Sequence, residues 1–96
     1  MNMKKLNYLL QDIYEKKYES FNQVYAKFHT LIKNLAKKYY NDIKDKNLYL
    51  MEDFIQEIWI TIFQDLSCHI YMFNSVDEFY KYAEMMVSNA LNNINR

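Results

Sequence analysis

Asp53, Gln56 and Glu57 stand at i, i+3 and i+4 in the stretch MEDFIQEIWITIFQDL, residues 51–66. That spacing gathers their side chains on one patch of a helix surface. The same stripe continues to Ile60 and then to Phe63 with Gln64. Met51, Phe54, Ile55, Ile58, Ile62 and Leu66 form the opposite, core-facing stripe, so Ile60 cannot share their burial, and Trp59 falls between the two faces. Acids and an amide leading into aliphatic and aromatic groups suit helix–helix recognition. The acids would pair with Lys or Arg of a partner, while Ile60 and Phe63 fill a groove. The competing reading makes Phe63 edge core and leaves the acids solvated near the helix start, where the helix dipole favours them.

No other residues suggest catalysis or metal binding. His29, Cys68 and His69 are the only candidate soft ligands, and Cys68 and His69 are adjacent, without metal-ligand spacing. Phosphate loops and nucleophile motifs are absent, and the six methionines read as core filler. The chain is expected not to be an enzyme and to need no metal or cofactor.

The elements that must position the stripe are helices. Ninety-six residues, half of them hydrophobic and 18% aromatic, can build one core without a disulfide or metal staple. There is no Gly and no Pro, and hairpin turns lean on glycine for positive φ. Helical periodicity marks four segments, about 3–17, 21–40, 50–66 and 76–95. The second carries Phe21, Val24, Tyr25, Phe28, Leu31, Ile32, Leu35 and Ala36 on one stripe. Ser20 with Gln23 is a candidate capping box at its start, and Asn41 a candidate left-handed residue at its end. Ser75 with Glu78 caps the fourth, whose apolar stripe is Phe79, Ala83, Met86, Val87, Ala90 and Ile94. These patterns predict an all-α, four-helix bundle occupying residues 1–96 as one domain. One cysteine and no apolar run of membrane length point to the cytoplasm and to no membrane partner.

Net charge is zero but polarised. Residues 1–46 hold ten lysines against five acids, whereas residues 47–96 hold Lys81 and Arg96 against seven. Either the two halves pair and cancel within the domain, or they are separate partner surfaces. The lysines of the second helix (Lys27, Lys33, Lys37 and Lys38) read first as a solvated face, and alternatively as phosphate contacts.

The third segment resembles the Asp-aliphatic-aliphatic-Gln-Glu helix of region 2 of bacterial sigma-70-family factors. The likeness continues in register. EFYKYAEMMVSNALNNINR is similar to the following region 2 helix of extracytoplasmic-function sigma factors, with Phe79, Asn89, Asn93 and Arg96 on its anchor positions. FNQVYAKFHTLIKNLAKKYYND is similar to the preceding helix, so the resemblance spans about residues 20–96.

The resemblance implies docking on the clamp-helix coiled coil of the β′ subunit of RNA polymerase. Asp53, Gln56 and Glu57 would make the contact, flanked or extended by Glu52, Trp59, Ile60 and Phe63. It also implies capture of the promoter −10 non-template strand by the loop before the fourth helix and by that helix's exposed face. Tyr71, Phe73, Asn74, Ser75, Tyr80, Lys81, Ser88, Asn92, Asn95 and Arg96 are the expected DNA contacts, reading bases and holding phosphates. Three features depart from the family pattern. Residues 75–96 carry Lys81 and Arg96 against Asp77, Glu78 and Glu84, a poor balance for DNA. Met85 and Met86 stand where primary sigma factors carry paired tryptophans. A complete sigma factor continues into region 4, whereas this sequence stops where region 2 ends. An excised domain and a region-2-only protein working with a separate region-4 protein both match that ending, and an anti-sigma factor is a further expected partner. The alternative function is a polymerase- or sigma-binding regulator that docks the same way without reading DNA.

Overall fold

The computed structural model describes residues 1–96 as four α-helices with no strand: α1 (Met3–Tyr14), α2 (Glu19–Tyr39), α3 (Met51–Cys68) and α4 (Val76–Ile94), with one 3-10 turn at Tyr40–Asp42. The architecture is the expected all-α bundle. α1 packs on α2 and α3, while α3 lies against α4 and α2, and α2 also touches α4. A Cα radius of gyration of 13.4 Å is that of a tightly packed chain of this length. Every buried residue is hydrophobic or aromatic. Phe54, Ile58, Ile62 and Leu66 of α3 are fully buried, while Ala83 and Ala90 of α4 are small enough to admit close helix approach.

Helix ends differ from expectation where tertiary contacts take over. α1 stops at Tyr14 and not at residue 17. Lys17 N–H reaches back to the Asp12 carbonyl (2.8 Å) and Lys16 N–H to that of Ile13 (3.1 Å), the paired bonds of a Schellman ending. Its left-handed residue is Lys16, at φ 71°, the one positive φ in the chain. Without any glycine, a lysine takes a conformation that costs a side-chain-bearing residue about 1–2 kcal/mol. The Lys16 ammonium then donates to the Ser67 carbonyl at the end of α3 (2.9 Å).

α2 begins two residues earlier than expected, and Ser20 does not cap it. The Ser20 hydroxyl instead donates to Asp12 (2.8 Å), tying the first turn of α2 to α1. Asn41 is not left-handed either, because the chain runs on through the 3-10 turn and buries Ile43. Ser75 does cap α4, accepting from the Glu78 N–H (3.2 Å). The Glu78 carboxylate returns to the N–H of Asn74, one residue before the usual capping-box partner.

Two asparagine side chains fasten the connections. Asn95 donates to the Asp42 carbonyl (3.0 Å) and accepts from the Lys44 N–H (3.0 Å), closing the loop after α2 onto the end of α4. Asn7 of α1 makes the same paired contact with the peptide of Phe73, in the loop before α4. No helix is long and apolar enough to cross a membrane.

Candidate functional site

The start of α3 determines how its outer stripe is presented. Leu50 has no side-chain acceptor to offer as N-cap, and Asp53 supplies the local bond, its carboxylate accepting from the Leu50 N–H (2.9 Å). Asp53 therefore has a helix-starting role whatever else it touches. Glu52, Gln56 and Ile60 are exposed, and Glu57 is half-buried. Ile60 stands 49% exposed, an aliphatic side chain in water one turn beyond Gln56 and Glu57. None of Glu52, Asp53 or Glu57 meets a cation. The ion pairs of the fold are Lys17–Glu15, Lys38–Glu84 and His69–Asp65. Only Lys38–Glu84 joins the lysine-rich half to the acidic half, so the polarised charge is not cancelled by pairing inside the domain.

Trp59 corrects the expectation that it flanks the contact at the surface. It is buried, with its ring 5.7 Å from Phe21 and 4.9 Å from Tyr25. Its indole N–H ends there without a hydrogen-bond partner. Phe63 is half-buried between Tyr18 (5.1 Å) and Phe21 (5.0 Å). Tyr18, just before α2, and the first half of α2 thus lay an aromatic shelf alongside the stripe, on which Tyr18 and Tyr25 remain well exposed. Tyr25 was expected in the core stripe. The seven-residue spacing of Tyr18 and Tyr25, two helical turns, was the available signal that they share a flank.

The loop before α4 turns its aromatic groups inward. Phe73 is buried, stacked on Tyr71 (5.7 Å) and edge-on to Phe79 (5.5 Å), so it cannot serve as an open platform for a base. Tyr71 and Tyr82 both donate to one oxygen of Asp65, at 2.6 and 2.7 Å. Burial, followed by the bond to Asp65 and its charge, pushes the Tyr71 phenol up to about 12. The same causes in the same order drive that of Tyr82 higher still. His69 approaches the other Asp65 oxygen at 3.2 Å.

The remaining expected DNA contacts divide into two sets. Lys81, Ser88 and Asn92 are exposed at helical spacing along the outside of α4, with Arg96 exposed beyond its end. Asn74 and Ser75 are exposed too, but the Asn74 N–H and the Ser75 hydroxyl are engaged in capping. Tyr80 is half-buried, close enough to Lys38 to help raise that ammonium's pKa, after the larger effect of Tyr39. Asn95 is committed to its loop clamp. Of the paired methionines, Met86 is buried and Met85 half-exposed.

Asn89 and Asn93 face Gln64, Cys68 and His69 across a polar groove of about 320 Å³ between α3 and α4. No three His, Cys, Asp or Glu side chains converge as a metal site would require. Comparison of the chain with family models, with curated proteins and with solved structures finds no match.

Proposed function

We propose that the chain is a region-2-like sigma module whose α3 outer face docks on the β′ clamp-helix coiled coil of RNA polymerase, in the service of promoter −10 recognition and melting. The observation that carries this reading is the unpaired outer stripe of α3. Gln56 and Ile60 stand exposed beside Asp53 and Glu57, with no cation of the chain neutralising the acids. A coiled coil rich in Lys and Arg would supply the missing charges, and a groove between its side chains would cover Ile60. The order of the three helices and their resemblance to region 2 support that choice of partner.

Capture of the β′ clamp-helix fragment by the native chain, Gln56→Ala and Glu57→Lys tests the proposal. Native capture with loss on Glu57→Lys is expected, whereas equal capture by all three removes the docking face.

A second reading, a polymerase-binding regulator without DNA contact, is favoured by the inward-turned Phe73 and the Tyr71–Asp65 bond. Crosslinking to −10 non-template DNA separates the two. A crosslink to the loop or α4 supports the initiation module, while clamp binding without one supports the regulator.

A further inference from the structure

We propose that the outer face shared by α2 and α3 binds a second copy of this chain, with α2 of each copy lying along α3 of the other about a two-fold axis parallel to the helices. Because that face holds Gln56 and Ile60, pairing also covers the surface offered to the clamp helices, a consequence that rests on the docking reading.

Two exposed stripes run side by side there. From just before α2 into its middle, Tyr18, Asn22, Tyr25, His29 and Lys33 recur at three- and four-residue intervals, and each is exposed. On α3, Glu52, Gln56 and Ile60 do the same. Tyr18 packs on Phe63 and Tyr25 on Trp59, so the two helices run antiparallel and their stripes share one register. At about 1.5 Å per residue, Lys33 lies about 12 Å beyond Tyr25 and Glu52 about 10 Å before Trp59, so cation and acid stand level. The face therefore has a charged end and an apolar end, the latter with Tyr18 44%, Tyr25 46% and Ile60 49% exposed.

This pattern is complementary to itself. A second copy turned about an axis parallel to the helices keeps each end level with its like and exchanges the two stripes. Lys33 of each copy then meets Glu52 of the other, while Tyr18 and Tyr25 meet Ile60. Such an interface is isologous and closes at two copies. Turned end for end instead, the second copy would set its aromatic end against Glu52 and leave the charges unmatched. Within one chain neither Lys33 nor Glu52 is in an ion pair, since those of the fold lie elsewhere. The tyrosines and Ile60 supply the apolar contact, and the reciprocal charges fix its register. A ligand that binds only the single chain draws the equilibrium toward it, so the clamp helices and the second copy compete for one face.

Sedimentation velocity of the full chain from micromolar to millimolar concentration tests the pairing, with circular dichroism as the check on folding. The native chain is expected to pass from one copy to two, and to return toward one as salt rises. Lys33→Glu and Glu52→Lys should each weaken pairing roughly tenfold or more, because each sets like charges together at both symmetric contacts. An equimolar mixture of these two variants should pair again, since each supplies the charge that the other has lost. Lys4→Glu makes the same change in net charge beside the loop before α4, and should pair like native. A native chain that stays single at millimolar concentration overturns the proposal. So do folded single variants that pair like native, a mixture that does not pair, and growth beyond two copies. Clamp-helix binding of Lys33→Glu keeps the two claims apart. It should equal or exceed that of the native chain, because a basic coiled coil gains nothing from this lysine. Native pairing without binding to the coiled coil supports the second-copy interface and removes the docking reading, while coiled-coil binding without pairing does the reverse.

Discussion

The side chain of Asn7 holds the peptide of Phe73 from both sides, its amide donating to the Phe73 carbonyl and accepting from the Phe73 N–H, each at 2.9 Å. Sixty-six residues apart in sequence, the two fix the loop before α4 against α1. Phe73 is buried as a result, and the loop's outer surface is left to Ile70 and Met72.

Breaking that clamp should be costly because both Phe73 groups are partly buried. Asn7→Ala is expected to lose about 1–3 kcal/mol, the penalty for stranding buried polar groups. Asn7→Asp should do no better, since a carboxylate cannot donate to the carbonyl. In a domain of this size each kcal/mol lowers the melting temperature by about 4–8 °C. Thermal melts followed by circular dichroism check this, and an Asn7→Asp protein melting with native would contradict it.

Asn95 makes the same pair of bonds to Asp42 and Lys44, but in an exposed setting. Water can replace it there, so Asn95→Ala should cost only about 0.5–1.5 kcal/mol. The same melts read the difference: the Asn7 variant must fall further than the Asn95 variant.

Alkaline pH should loosen the fold at the Asp65 hub. The Tyr71 and Tyr82 phenols are both held above their ordinary value of 10, Tyr71 at about 12. Unfolded chain releases these protons near pH 10, and folded chain keeps them. Their contribution is therefore complete below pH 10 and is lost as pH rises through 10 toward 12 and beyond. For the buried Tyr82 the loss is about 1.4 kcal/mol per pH unit above 10. Urea midpoints across pH 8–11 should fall steeply in the native chain and less steeply in Tyr82→Phe. Parallel alkaline limbs would contradict the assignment.

Periodicity sufficed for the four helices, for the Phe54–Ile58–Ile62–Leu66 stripe and for the Ser75 cap, because each depends on neighbours within a turn or two. It failed where the partner is distant. Ser20 was legible as a cap from its local pattern, but Asp12 of α1 takes its hydroxyl. Asn41 was read as a left-handed ending, yet Lys16 occupies the chain's one such position. Nor does spacing show that the Asn95 side chain, which the family resemblance puts among the DNA contacts, bonds to residues more than fifty positions earlier. Spacing put Trp59 between two faces, and only the α2 aromatics decide that it is buried.

Trp59 gives a sharp contrast of substitutions. Its indole N–H is buried without a partner, so Trp59→Phe gives up ring volume but also removes an unsatisfied donor that costs about 1–3 kcal/mol. Urea unfolding should find Trp59→Phe within about 1 kcal/mol of native, while Trp59→Ala loses about 3–5 kcal/mol by opening a cavity. Equal losses would show that the aromatic packing has been misjudged.

The central claim is that the outer face of α3 grips the β′ clamp helices. Titration calorimetry of the native chain, Gln56→Ala, Glu57→Lys and Ile60→Asp against the clamp-helix fragment tests it most directly. Asp53 is left intact because its carboxylate caps the helix. The account predicts native binding that weakens with salt, roughly tenfold or greater loss for Glu57→Lys and Ile60→Asp, and unchanged melting temperatures. Equal affinity for all four proteins, or no native binding at low salt, would contradict it.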